Sequence, residues 1–227
     1  MTRFCFDIVG FDLDGTLMDT SGDLGAALNH TLRAAGYPQV AHEAVRDLIG
    51  GGARKMLERA LTLNGIAISQ DDITELNRQL VTFYEANIAH HSALFAGGEA
   101  MLEALTERGT KLVVVTNKLE RLAVRLLDAL GLSSRFCAII GGDTLGPGRA
   151  KPAPDLLHEM IARAGGGRAA FVGDTTYDTQ AASAAGMPCI AVSFGFNDLP
   201  AGELGADAVI DHFDELIPAL DRLCHPA

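Results

Sequence analysis

The chain has 227 residues, 48% hydrophobic and 21% charged, which suits one large globular domain or a domain carrying an insert. Its net charge of −11, from 29 acidic against 18 basic residues, argues against nucleic acid or an anionic membrane as the main partner. An anionic ligand would need local positive charge from a metal, a lysine or helix N-termini. The first apolar run, Phe4 to Phe11, has the length of a strand and ends at Asp12. Turn formers at residues 19–23 then open a helical stretch. Leu24, Leu28, Leu32 and Ala35 follow helical spacing up to the stop Gly36-Tyr37-Pro38, and further helices are predicted over 43–49, 55–63 and 71–88. No strand is predicted in this stretch. From residue 94 strands and helices alternate. Helices are predicted over 98–108, 119–130, 154–164, 179–185 and from 214, and strands over 111–116, 136–140, 169–172, 189–193 and 208–210. This pattern predicts an α/β fold with a Rossmann-like parallel sheet covered on both faces, and a ligand site beyond the carboxyl ends of the strands.

Four motifs fall at predicted strand ends. Asp12 and Asp14 flank Leu13 ahead of Gly15-Thr16, and period-two alternation puts both carboxylates on one side. Carboxylates that close repel unless a cation neutralises them or one takes a proton, so the pair suits a hard divalent ion such as Mg2+ or an aspartate nucleophile. Taken alone, Asp-Gly also suits a simple turn; an EF-hand does not fit, because Leu17 stands where its glycine is required. Thr116 and Asn117 end the second core strand and suit either a phosphate oxygen or a helix cap. Lys151, beside Pro152, suits charge compensation at a phosphate or is a solvated lysine. Asp174, at the tip of the strand over 169–172, is a metal-ligand candidate, and Asp178 opens the next helix, where it suits capping, ordering a bound water or Lys151, or both. The loop before Lys151 lacks the Gly-Lys-Ser/Thr ending of a nucleotide P-loop.

Cys5, Cys137, Cys189 and Cys224 form no close sequence pair; the first three lie in apolar, strand-like runs and are read as buried free thiols. With no signal-like N-terminus and no apolar run of membrane-spanning length, a cytoplasmic location is expected.

Asp-x-Asp-Gly-Thr, a Thr-Asn strand end, Lys-Pro and Gly-Asp-x-x-x-Asp, in that order, resemble the haloacid dehalogenase superfamily over nearly the whole chain. The resemblance implies a core at residues 1–17 and 91–227 with a helical cap at 18–90. It makes Asp12 the nucleophile and Asp14 the general acid and base. Thr116, Asn117 and Lys151 hold the phosphate, Asp12, Asp174 and the Asp14 backbone carbonyl hold Mg2+, and Asp178 supports that site. Asp14 favours ester hydrolysis over dehalogenation, because an alkoxide leaves better when protonated and a halide needs no proton. More narrowly, residues 115–118, 141–144, 151–155, 49–53 and 57–61 are similar to bacterial phosphoglycolate phosphatases. Gly51 departs from the usual Gly-Asn-Gly and Leu119 from the usual Asn-Lys-Pro. The implied partner is a small phosphorylated substrate, 2-phosphoglycolate before pyrophosphate, sugar phosphates or nucleotides. A phosphomutase and a non-catalytic phospho-ligand-binding module are the other readings, Arg54 or Lys55 is a candidate for a substrate carboxylate, and monomer and homodimer both stay open.

Overall fold

The computed structural model describes residues 4–224. Six parallel strands form the sheet, in the order β5-β4-β1-β6-β7-β8. They are β1 (Ile8–Phe11), β4 (Lys111–Val115), β5 (Ala138–Ile140), β6 (Ala169–Gly173), β7 (Cys189–Val192) and β8 (Ala208–Ile210). β1 is central, paired in register with β4 on one side and β6 on the other. The three predicted motif-bearing strands are therefore neighbours, and their carboxyl ends meet.

Alternation within each strand sends successive side chains to opposite faces. Val9, Phe11, Val114, Ala170 and Val172 join one buried cluster with α5 (Gly98–Glu107), α6 (Glu120–Ala129) and α9 (Leu216–Cys224). Ile8, Val113, Val115 and Phe171 join another with α7 (Asp155–Arg163) and α8 (Thr176–Ala184). Burial on both faces explains why these strands read as continuous apolar runs. Gly10 lets a helix approach closely, since a Cβ there would lie 2.2 Å from Met160 Sδ.

Between β1 and β4 the chain forms α1 (Ser21–Ala34), α2 (His42–Val45), α3 (Ala53–Leu63) and α4 (Gln70–Ala86), with a 3-10 turn at Arg46–Leu48. These helices have their own apolar cluster, including Leu28, Leu57, Ala60 and Leu80, which touches the sheet body through Leu122 and Phe196. Two two-residue strands, β2 (Met18–Asp19) and β3 (Ala93–Leu94), pair antiparallel where the chain leaves and re-enters the sheet body. The prediction of no strand in this stretch is corrected by β2, which is too short to show a period.

The cysteine expectation is corrected too. Cys5 and Cys224 are joined in a disulfide, and Cys137 is exposed; Cys189 is a buried free thiol as expected. Pairing across 219 residues leaves no trace in sequence spacing. Among the described residues no helix is long and apolar enough to cross a membrane.

Candidate active site

A cavity of ≈ 240 Å³ lies between the strand ends and helices α3 and α4. That is below the roughly 300–1,000 Å³ of sites for drug-sized ligands, so it fits a small metabolite. Its floor holds Asp12, Asp14, Thr116, Asn117, Lys151, Asp174 and Asp178, bringing together every site residue expected from the sequence.

Asp12 leaves β1 with its backbone N–H on Val172 O at 2.9 Å, which fixes it beside β6. Oxygens of Asp12, Asp174 and Asp178 lie within 4.8 Å of one another. Asp174 is fully buried; Thr16 Oγ1 donates to its Oδ1 at 2.7 Å and the Phe196 N–H to its Oδ2 at 2.8 Å. Gly15 passes so close that a Cβ there would fall 2.2 Å from Asp174 Oδ2, and its φ of +87° is itself a glycine conformation.

Lys151 is 3% exposed. Its Nζ donates to Val115 O at 2.9 Å and to Asp178 Oδ1 at 2.6 Å. It also lies 3.0 Å from Asp12 Oδ1, close enough for an ion pair but without hydrogen-bond alignment. Asp178 does both things expected of it. Its Oδ2 accepts from the Thr175 N–H and hydroxyl as a capping box on α8, while Oδ1 holds Lys151.

Asp14 turns to a different lysine. Lys118 Nζ donates to its two oxygens at 2.8 and 2.9 Å, and Thr20 Oγ1 donates at 2.8 Å. Lys118, Thr20 and Thr16 support the site through contacts that sequence spacing does not show, although Thr16 and Lys118 stand within the motifs and Thr20 among the turn formers. Thr116 is 2% exposed, and its Oγ1 accepts from the Lys118 N–H. Asn117 Nδ2 donates to Lys151 O at 2.9 Å, so this amide also steadies the segment carrying Lys151.

Charge decides what the site can hold. Four carboxylates face two ammonium groups, a formal surplus of two negative charges in a mostly buried space. Burial raises the Asp12 carboxyl to about 6, with Lys151 working against that and Asp178 and Asp14 adding to it. Asp174 is pushed well above the carboxylate range, first by burial and then by Asp178 and Asp12. Burial alone would lower both lysines; the facing carboxylates outweigh it and keep them protonated. A divalent cation would offset that surplus, and an all-oxygen donor set suits Mg2+.

The opposite wall is less charged. Gly50, Gly51 and Gly52, at φ +113°, +74° and +94°, form a turn that ordinary side chains strain to adopt, which explains the triple glycine. Arg59 Nη1 donates to the carbonyls of Leu48, Ile49 and Gly50 and fixes that turn. Arg54 lines the cavity, but its guanidinium is engaged by Glu58, Thr74 and Gln70. Lys55 lies 3.5 Å from Glu58.

Residues 9–192 match the family model described as haloacid dehalogenase-like hydrolase. A phosphoglycolate phosphatase of Agrobacterium fabrum (strain C58) is 44% identical over 214 residues, covering 92% of this chain and 90% of its own. One from Mesorhizobium japonicum is 40% identical over 226 residues, covering 97% of each. A crystal structure of a protein described as a predicted phosphoglycolate phosphatase, from Haemophilus somnus 129pt, superposes with a TM-score of 0.85. Its identity is 29%, over 96% of this chain and 98% of that one. With the motifs, the sheet order and these relatives in agreement, the chain belongs to the haloacid dehalogenase-like hydrolases.

Proposed function

We propose that the chain is a Mg2+-dependent phosphatase of small phosphate monoesters, with 2-phosphoglycolate as its substrate. One observation carries the mechanism. Asp12 belongs to the buried carboxylate group that calls for a cation, while Asp14, two residues on, is held apart from it by Lys118 and Thr20. The first is then free to attack and the second to move a proton. The substrate assignment rests on the relatives named phosphoglycolate phosphatase and on the cavity's small size.

Asp12 attacks phosphorus to form an aspartyl-phosphate, and Asp14 protonates the departing alkoxide. Asp14 then takes a proton from the water that hydrolyses the acyl phosphate. Lys118 and Thr20 fix the orientation in which it does both. Thr116 Oγ1, Asn117 and Lys151 take the phosphoryl oxygens. Asp12, Asp174 and the Asp14 backbone carbonyl would hold Mg2+, which would supply the charge compensation that two lysines leave incomplete. Asp178 keeps Lys151 in place. Residues 18–90 act as a cap over the core formed by 1–17 and 91–227, excluding bulk water when closed. The working location is the cytoplasm, where the Cys5–Cys224 pair would meet reductant.

Phosphate release from 2-phosphoglycolate, pyrophosphate, sugar phosphates and nucleotides, with Mg2+ and with chelator, tests this. Metal-dependent release led by 2-phosphoglycolate is expected. Release led by another ester would overturn the substrate, and release undiminished by chelator would overturn the metal.

A further inference from the structure

The α4 wall of the cavity carries two polar groups whose hydrogen-bonding capacity the protein leaves partly unused. Asn77, Leu80, Val81 and Tyr84 line the cavity at helical spacing. Tyr84 is 2% exposed, yet its O–H finds no acceptor among the described residues, and the buried Asn77 Oδ1 finds no donor. An unpaired buried oxygen is destabilising, so a native protein that keeps one points to an occupant that satisfies it. Lys118 does not fill that role. Its Nζ lies 4.4 Å from the Tyr84 ring centre, gives two hydrogens to Asp14 and has its third for the phenol oxygen, but an ammonium accepts nothing from the Tyr84 O–H. Phenylalanine would keep that cation–π contact and fill the same space, so packing does not explain the hydroxyl. Burial also raises the phenol pKa, which keeps the group a protonated donor.

We propose that Asn77 and Tyr84 form the subsite that reads the leaving group, by hydrogen-bonding a carboxylate attached next to the ester carbon. The inference rests on the phosphatase reading above. Tyr84 Oη–H donates to one carboxylate oxygen. The Asn77 amide, turned about its last torsion so that Nδ2 faces the cavity, donates to the other. Lys118, between this wall and Asp14, places positive charge on the same side.

The test is a selectivity ratio: kcat/KM for 2-phosphoglycolate over that for ethyl phosphate, which lacks the carboxylate. It is measured for wild type, Tyr84→Phe and Asn77→Leu. The ratio is expected to fall about 10- to 100-fold in Tyr84→Phe, the range for losing one hydrogen bond to a charged group. The melting temperature should hold, because the buried O–H that goes has no acceptor in the protein. Equal losses on both esters would mean that Tyr84 acts through Lys118 and Asp14 alone, and would overturn the proposal, as would an unchanged ratio. If wild type instead prefers glycerol 3-phosphate, the carboxylate falls with the substrate assignment. Loss of that preference in Tyr84→Phe would then still support α4 as the leaving-group subsite, and its retention would refute it.

Discussion

Asp12 shows how one residue links folding to chemistry. Burial raises its folded-state carboxyl from the ordinary 3.8 to about 6, with Lys151 opposing the rise. A raised carboxyl pKa means that the native state binds the proton more tightly than the unfolded chain does. The resulting stability is fully present below about pH 4 and is lost as pH rises through about 6. The metal-free protein should thus forfeit on the order of 2–3 kcal/mol at this group. Asp12→Asn cannot titrate and escapes that loss. Thermal melts from pH 4 to pH 8 in chelator should show the variant gaining on wild type as pH rises, by roughly 5–10 °C. Mg2+ should raise the wild-type melting temperature more at pH 8 than at pH 5, because protons compete for the same oxygens. A gap that stays constant with pH would mean that Asp12 is ionised throughout.

Among the elements, the motif-bearing strand ends were legible because each is a local pattern: an apolar run that stops at a polar residue on β1, β4 or β6. The pairings around them were not, since they join residues far apart in the chain. Lys118 meets Asp14 across 104 residues, and Arg46 reaches the loop after β7 across 148. Strands of two residues, β2 and β3, are too short for any periodicity to appear. Arg46 precedes the cavity-lining turn at 49–52. It hydrogen-bonds Phe194 O at 2.9 Å and Asp19 at 3.1 Å, and stacks on Phe196, whose N–H holds Asp174. One side chain thus links the helical segment to the loop supporting Asp174. Arg46→Met should speed amide hydrogen exchange across residues 49–54 and raise the Mg2+ concentration needed for half-activation about 3- to 10-fold. Arg46→Lys should restore part of both. Unchanged exchange in Arg46→Met would remove the linking role.

For the whole molecule, the disulfide ties the approach to β1 to the last helix, α9. Cys5 precedes the amino end of the central strand, whereas the cavity lies beyond the carboxyl ends. Closing so long a loop limits the unfolded chain far more than it shapes the site. Reduction, or Cys224→Ser, is therefore expected to lower the melting temperature by about 5–15 °C with kcat at 25 °C unchanged. Melting curves and assays with and without reductant check both halves. A fall in kcat at temperatures where the protein stays folded would show that the staple reaches the site. The overall α/β architecture was readable from alternating patterns, because burial on both sheet faces imposes them on the sequence. The staple was not, because spacing says nothing about which thiols meet.

The account turns on Asp12 as the group that takes the phosphoryl. Acid-quenched mixing of the Asp14→Ala variant with 4-nitrophenyl phosphate and Mg2+, followed by peptide mass spectrometry, tests this directly: nitrophenolate leaves without a proton from Asp14, while hydrolysis of the acyl phosphate still lacks its base. A phosphoryl adduct on the peptide containing Asp12, absent in the Asp12→Asn, Asp14→Ala double variant, is the predicted result. Phosphate release with no adduct on that peptide at any time point would contradict it, and would mean that water attacks the ester directly.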